Sequence, residues 1–324
     1  MRESRIILGI GELLWDIVEA SSPPSEADST GTLGGAPTNF TVMAGRLGNR
    51  ACILSRVGRD DLGRRAVGQL DTLPVDASLI QVDPAHQTGQ VTVSFAANEP
   101  KYTIHQPAAW DFLELSDEWI KIADRADAIC FGTLAQRDAA SRQTIQTLVA
   151  QTSSSCVRVL DVNLRAPFYS SEILQESIEL ATMVKMNIEE ISTVLGLLGL
   201  AAGEDPPLSL RNTDYLRTCS ERLLEEFPAL ELVAITRGHH GSVLVKRDTW
   251  HEHPGFSIKV ADTIGAGDAF TAAMVHYLLR EAKLATINEA GNRWGSWVAS
   301  QPGAMPDLPE SVHNAISAAI ERSA

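Results

Sequence analysis

Short apolar, β-branched runs alternate with helical periodicity along most of this chain, and few folds accept that pattern. Residues 6–10, 51–57, 128–131, 156–162, 182–186 and 232–236 read as strands. Their near-continuous hydrophobicity suits a parallel sheet covered on both faces, because a strand with one wet face alternates polar and apolar residues. Residues 37–47, 138–150, 171–180 and 213–227 lie between them and read as helices. The alternation predicts a doubly wound α/β sheet flanked by helices. The C-terminal third continues as helix over 266–280, 286–300 and 308–321.

Two stretches break the rhythm. Residues 13–19, and 89–97 with 102–105, read as strands that follow one another without a helix. The turn Ala97-Asn-Glu-Pro100 between the second pair is hairpin-like. These pieces predict a small separate sheet, from about 13–30 and 88–106, that covers a site as a lid on a single domain spanning 1–324. Gly203-Glu-Asp-Pro-Pro207 reads as a surface loop.

The bulk properties narrow the function. A length of 324 residues with 44% hydrophobic content supports one large α/β domain. A formal net charge of −14 argues against a protein that wraps nucleic acid, which needs a basic face. It does not exclude a phosphorylated ligand, which backbone amides and one or two cations can hold. Cys52, Cys130, Cys156 and Cys219 show no C-x-x-C spacing and read as buried thiols in a reducing compartment. No apolar run approaches the ~18–20 residues that span a bilayer. The expected location is cytoplasmic, with no membrane partner.

The segment Asp262-Thr-Ile-Gly265-Ala-Gly267-Asp268-Ala-Phe270 carries the most chemical information. Phe270, Met274, Tyr277 and Leu278 follow at helical spacing, so the glycines lie at a helix start. Gly265 and Gly267 let backbone N–H groups converge on one point, which also sees the positive end of the helix dipole. That point is an anion site. An aspartate there would repel a phosphate, and Asp268 makes sense as the base that takes a proton from an attacking hydroxyl. A bare G-x-G-D would be only a helix cap; nine residues in this arrangement are far more specific.

A second glycine-rich segment, Leu33-Gly34-Gly35-Ala-Pro37-Thr-Asn39-Phe40, opens the first helix. Gly34 and Gly35 permit close backbone approach, and Asn39 offers a donor and an acceptor. With Asp16 after the first strand, it could hold vicinal hydroxyls; alone it reads as a helix cap. Asp161-Val-Asn163-Leu-Arg165, Asn187-Ile-Glu-Glu190 and Thr236-Arg-Gly238-His-His-Gly241 each follow a strand. Each could be capping chemistry, but together they favour a site at the C-terminal edge of the sheet. Gly9-Ile-Gly11-Glu lacks the third glycine of a dinucleotide fingerprint, and there is no Gly-Lys dipeptide for a Walker A loop. His239-His240 and His251-x-His253 read as solvated or capping histidines, because no acidic or cysteine cluster completes a metal set.

On these residues the chain resembles the ribokinase-like (PfkB) carbohydrate kinase family over essentially its whole length. The segment from Asp262 to Phe270 matches the family's C-terminal signature, and the stretch from Gly34 to Gly48 resembles its N-terminal one. The resemblance implies a Rossmann-like central sheet with a β-lid, and transfer of the ATP γ-phosphoryl group to a sugar hydroxyl. It implies Asp268 as general base and the amides of Gly265, Ala266 and Gly267 as the anion hole. Asp16, Gly34, Gly35, Asn39 and Arg165 would hold the sugar. Asn187, Thr236, Gly238, Gly241 and Asn292 would contact ATP, and Glu190 would organise Mg2+ through water. Several members are activated by K+, and the matching positions are Asp262, Ile264, Val298 and Gly303. Pairing of lid sheets makes a homodimer compatible with the resemblance.

Within the family, Gly11-Glu-Leu-Leu-Trp-Asp16 and Asp161-Val-Asn-Leu-Arg165 most resemble bacterial fructokinases. Two departures stand against that. Thr38-Asn39-Phe40 is bulkier than usual after Gly-Gly-Ala-Pro. His105 stands where 2-keto-3-deoxygluconate kinases and many fructokinases carry an arginine. Fructose is the leading expected acceptor, with 2-keto-3-deoxygluconate, ribose or a nucleoside behind it; Trp15 and Trp110 could stack a base or a sugar. A non-catalytic sugar or nucleotide sensor is the alternative from another class, and an intact Asp268 segment counts against it.

Overall fold

The computed structural model describes residues 4–18, 31–96, 99–201, 207 and 212–323. Its strands are β1 (Ile6–Ile10), β2 (Leu14–Val18), β3 (Thr32–Gly34), β4 (Arg50–Leu54), β5 (Arg56–Gly58), β6 (Gln81–Asp83) and β7 (Gly89–Ala96). They continue as β8 (Glu99–Ile104), β9 (Ala128–Gly132), β10 (Val157–Asp161), β11 (Met183–Asn187), β12 (Leu232–Thr236), β13 (Ser242–Lys246) and β14 (Thr249–His253). The α-helices are α1 (Ala36–Arg46), α2 (Asp61–Leu70), α3 (Asp117–Asp124), α4 (Ala139–Ala150) and α5 (Ser171–Leu180). After them come α6 (Glu190–Leu197), α7 (Thr213–Glu226), α8 (Ala266–Leu278), α9 (Leu284–Ala299) and α10 (Glu310–Ser323).

The main sheet has eight strands in the order β14-β13-β12-β11-β10-β9-β1-β4. It is parallel from β4 to β12, and the β13–β14 edge is antiparallel. Strand alternation sends successive side chains to opposite faces. In β1, Ile7 packs in the layer under α1, α8 and α9, while Leu8 and Ile10 pack in the layer under α3 to α7. Both faces are therefore dry, and this is why the strands are apolar throughout.

The chain order fixes where a ligand can bind. From β1 the chain reaches β4 on one side and later returns to β9 on the other. The connections after β1 and β9 thus diverge and leave a crevice at their C-terminal ends, the switch point where open α/β sheets bind ligands.

A second, four-stranded sheet has the order β3-β2-β7-β8. Residues 14–18, 89–96 and 99–104 form it together with Thr32–Gly34, a strand absent from the sequence reading. Much of the segment expected over 13–30 (residues 19–30), the hairpin tip at 97–98 and most of the expected loop at 203–207 lie outside the described residues.

Several expectations are corrected. The single strand over 51–57 is two strands, because the buried Ser55 hydroxyl donates to Gly11 O at 2.7 Å and the chain leaves the main sheet there. It then pairs with β6 in a small parallel sheet. The β13–β14 hairpin was not anticipated, since Thr249–His253 is mostly polar and sits at an exposed edge. All four cysteines are buried thiols, none in a disulfide. No helix among the described residues is long and apolar enough to cross a membrane.

Candidate active site

The helices differ at their starts in a way that matters for the site. Asp60, Asp138, Ser170 and Asn212 cap α2, α4, α5 and α7 through side-chain oxygens. No side chain caps α8; its N-cap is Gly265, at φ 77. A Cβ on Gly265 would lie 2.5 Å from Ala304 O, so only glycine brings the chain through this turn. The first-turn amides of an α-helix have no intrahelical partners and stand at the positive end of its dipole. Of the expected anion-hole donors, Ala266 N donates a long bond of 3.3 Å to Thr263 O.

Asp268 sits in this first turn and accepts a 2.8 Å bond from Asn39 Nδ2. Asn39 reaches it because Gly35, at φ 108, starts α1 against the backbone of Glu12. A Cβ on Gly35 would fall 2.3 Å from Glu12 O. Enclosure by protein, reinforced by the Asp161 carboxylate, pushes Asp268 up to about 6; Lys185, Asn39 and Arg165 pull it back. A carboxyl at that level is ionised at neutral pH, yet far more basic than a surface aspartate.

Asp161, at the end of β10, and Lys185, on β11, lie beneath that turn. Lys185 Nζ donates to both Asp161 oxygens at 3.1 Å. Asp161 also accepts from Thr271 Oγ1 at 3.1 Å, which ties α8 to the sheet edge. A Cβ on Gly267 would stand 3.0 Å from Lys185 Nζ. Burial alone would lower the lysine, but Asp161, Asp268 and Glu190 outweigh it and raise its pKa.

A small cleft runs from Glu12 to Asp161 and Asn163, with Pro37, Phe40 and Thr133 along it. It occupies the crevice between the ends of β1, β9 and β10. Asn163 holds φ 39, a backbone state uncommon for a non-glycine residue, at the cleft edge. Burial pushes Glu12 up to about 7, and repulsion from Asp268 adds to this.

The acceptor residues read from the sequence come together. Asp16 on β2 pairs with Thr32 on β3, and its side chain reaches along the strand to Gly34, where a Cβ would lie 2.9 Å from Asp16 Oδ2. Burial raises the Asp16 carboxyl, and Arg165 partly offsets this. The same Arg165 guanidinium acts on Glu12 and Asp268. The bulky neighbours of Asn39 have local reasons. Thr38 Oγ1 donates to Glu12 O at 3.2 Å, and Phe40 is packed in the core beside α8.

The nucleotide and metal residues are placed differently. Asn187 and Thr236 are paired neighbours at the ends of β11 and β12. Asn187 Oδ1 accepts from the amides of Glu189 and Glu190 at 2.9 Å, and so caps α6. Glu190 binds backbone with both oxygens, from Leu164 N and Asn187 N at 2.8 Å, and clasps the loops after β10 and β11 together. Gly238 and Gly241, both at positive φ, flank the turn before β13. Asn292 is buried in α9, its Nδ2 donating to Ser242 Oγ and Asn288 O rather than to an open surface.

At the monovalent-cation positions, Asp262 accepts from Ile264 N at 3.0 Å and Gly303 N at 3.2 Å, while Val298 is buried in α9. Trp15 and Trp110 are both buried. Trp15 Nε1 donates to Leu62 O, and the Arg137 guanidinium covers Trp110 at 3.9 Å. Neither offers a face to a ligand. His253 caps a turn by accepting from Gly255 N at 2.9 Å.

Sequence reasoning gave no separate role to Glu12 or to Lys185. Lys185 had a signal: one cation inside the apolar run Met183-Val-Lys-Met, where burial demands a partner.

Comparison with known proteins shows the family and the fold. The model of the pfkB family carbohydrate kinases matches residues 8–311. A protein of Pyrococcus horikoshii named putative sugar kinase PH1459 is 29% identical over 287 residues, covering 85% of this chain and 83% of that protein. A fructokinase of Solanum tuberosum is 25% identical over 319 residues, covering 94% and 93%. The crystal structure of uncharacterized sugar kinase PH1459 in complex with ATP superposes with a TM-score of 0.79 at 26% identity, over 98% of this chain and 99% of that one. Fructokinase with bound ATP from Xylella fastidiosa, at 19% identity, shares the fold with a TM-score of 0.80 over 98% and 99%. An open α8 start with an aspartate in its first turn, and a family match over nearly the whole length, lead to one conclusion: this chain belongs to the pfkB family of carbohydrate kinases.

Proposed function

We propose that the protein transfers the γ-phosphoryl group of ATP to a hydroxyl of a free sugar, with fructose as the leading acceptor. The observation that carries this is the Asp268 carboxylate, held at 2.8 Å by Asn39 on the uncapped first turn of α8. Asp268 takes the proton from the acceptor hydroxyl as that oxygen attacks phosphorus. The α8 amides hold the transferring group, whose charge grows on its equatorial oxygens. Asn39 keeps the carboxylate aimed, and Asp16, Gly34, Gly35 and Arg165 seat the sugar. Asn187, Thr236, Gly238 and Gly241 lie along the edge where the nucleotide would run.

Among the described residues no group of three or more histidines, cysteines or acids could hold a metal by itself. That fits Mg2+, which keeps several waters and arrives on the phosphates with one or two carboxylates nearby. When bound, it would neutralise charge on the phosphate oxygens, with Glu190 orienting its water. Glu190→Gln tests this residue. Its amide would put a donor against Leu164 N or Asn187 N, costing about 1–3 kcal/mol of stability. A weakened Mg2+ titration is expected on top of that. A lower Tm with an unchanged titration would leave Glu190 as a loop clasp alone.

Fructose leads because Asp16 and Asn39 pair adjacent hydroxyls and because the motifs of Gly11 to Asp16 and Asp161 to Arg165 resemble fructokinases. The burial of Trp15 and Trp110 argues against a nucleoside. The deciding measurement is kcat/KM for fructose, ribose, adenosine and 2-keto-3-deoxygluconate, with ADP release as readout. Fructose is expected to lead. A tenfold preference for adenosine or the sugar acid overturns the acceptor, and turnover of none overturns the kinase reading. The four buried free thiols support a reducing, cytoplasmic setting.

A further inference from the structure

Two buried oxygens close to Asp268 lack hydrogen-bond donors. Glu12 is 3% exposed; its Oε1 accepts from Ala36 N at 3.2 Å, while Oε2 meets no donor. Asn39, 6% exposed, gives Nδ2 to Asp268 and leaves Oδ1 unpaired. Native structures rarely leave such atoms unserved, because a buried acceptor without a donor keeps its full desolvation penalty. Neither group can easily turn away. Glu12 is held by its bond to Ala36, by Thr38 Oγ1 on its carbonyl and by Gly35 packed against its backbone. Glu12 also lines the cleft.

We propose that Glu12 is a specificity-determining residue of the acceptor pocket, where its free oxygen and that of Asn39 accept hydrogen bonds from hydroxyls neighbouring the one phosphorylated, selecting an uncharged polyhydroxylated sugar over a carboxylated or phosphorylated one. This rests on the sugar kinase reading and names its substrate class. The chemistry follows from the two free acceptors. The surrounding charge is mixed, with Arg165 acting on Glu12, Asp16 and Asp268 and Lys185 acting on Asp268 as well. A carboxylate or phosphate on the acceptor brings no donor to the free oxygens of Glu12 and Asn39, whereas a hydroxyl donates to them. A pocket built to pair hydroxyls also rejects analogues that lack them.

Glu12→Gln is the main test, because it keeps size and an acceptor for Ala36 N while turning the free atom into a donor. Fructose binding without ATP, read by calorimetry, should weaken roughly 10- to 100-fold, and kcat/KM for fructose should fall in step. The KM for ATP should stay put, and the ratio of 2-keto-3-deoxygluconate to fructose kcat/KM should rise at least about tenfold. Unchanged fructose binding and an unchanged ratio overturn the proposal, leaving Oε2 to an internal water. If the glutamine variant does not fold, Glu12→Asp and monodeoxyfructoses replace it. One deoxy position should cost the wild type roughly 10- to 100-fold, and this loss should shrink in the aspartate variant. Equal losses in both proteins also overturn it. Failure of the sugar kinase reading would look different, since the wild type would then phosphorylate no sugar.

Discussion

Asp268→Asn should cut kcat by ~10²–10⁴-fold while ATP and sugar affinities stay nearly intact, because a positioned base acts only as the hydroxyl loses its proton. The amide keeps an oxygen for Asn39 Nδ2, so the local geometry survives. Wild-type kcat/KM should also fall as pH drops through about 6, where Asp268 takes up a proton. The stability effect has the opposite sign to that of a salt-bridged acid. The native carboxyl binds its proton more tightly than the unfolded one, so its contribution is greatest at acid pH and is lost as pH rises to about 6. The asparagine variant should therefore melt no lower than wild type at pH 7.5, and any advantage should vanish near pH 4. Near-normal turnover in the variant would remove Asp268 from the chemistry.

The other large loss is expected at Gly265. Gly265→Ala puts a Cβ on a residue at φ 77 and drives it against the Ala304 backbone, 2.5 Å from the carbonyl oxygen. The backbone of α8's first turn must shift, and its amides move off the transferring phosphoryl group. Loss of one such donor lowers kcat on the order of 10²–10³-fold. Gly267→Ala should be milder, because its Cβ meets only the end of Lys185, at 3.0 Å. Steady-state kinetics on both variants, with melting curves to show that they fold, make the comparison. Equal kinetics for Gly265→Ala and wild type would mean that phosphate binds elsewhere.

Much of the site was legible because its signals are local. A helix that starts on Gly265-Ala-Gly267-Asp268 has exposed amides wherever it packs. Gly34-Gly35 before Pro37 likewise demands a tight turn into a helix in any context. What the sequence left open is the set of surroundings that depends on distant neighbours. The surroundings of Asn292 are set where α9 packs against β13, with its amide on Ser242. Trp15 and Trp110 were candidates for stacking, but β2 and the turn at 109–112 close over the core and bury them. The Glu190 carboxylate, proposed to orient the Mg2+ water, also clasps two loops that are adjacent because β10 pairs with β11.

The sequence by itself determined the α/β class, the strand runs of the parallel sheet and the two glycine-led helix starts. Each follows from periodicity or from backbone freedom, which act over a few residues. Only the tertiary structure decided that β1 lies between β9 and β4. That neighbourhood opens the crevice, sets Glu12 beside Asp268 and leaves its Oε2 without a donor. Strand order is fixed by long-range pairing and by which apolar faces bury each other, so no single segment encodes it. The same pairing of β10 with β11 puts Lys185 against Asp161 and turns one lysine in an apolar strand into the buried counter-charge of the site.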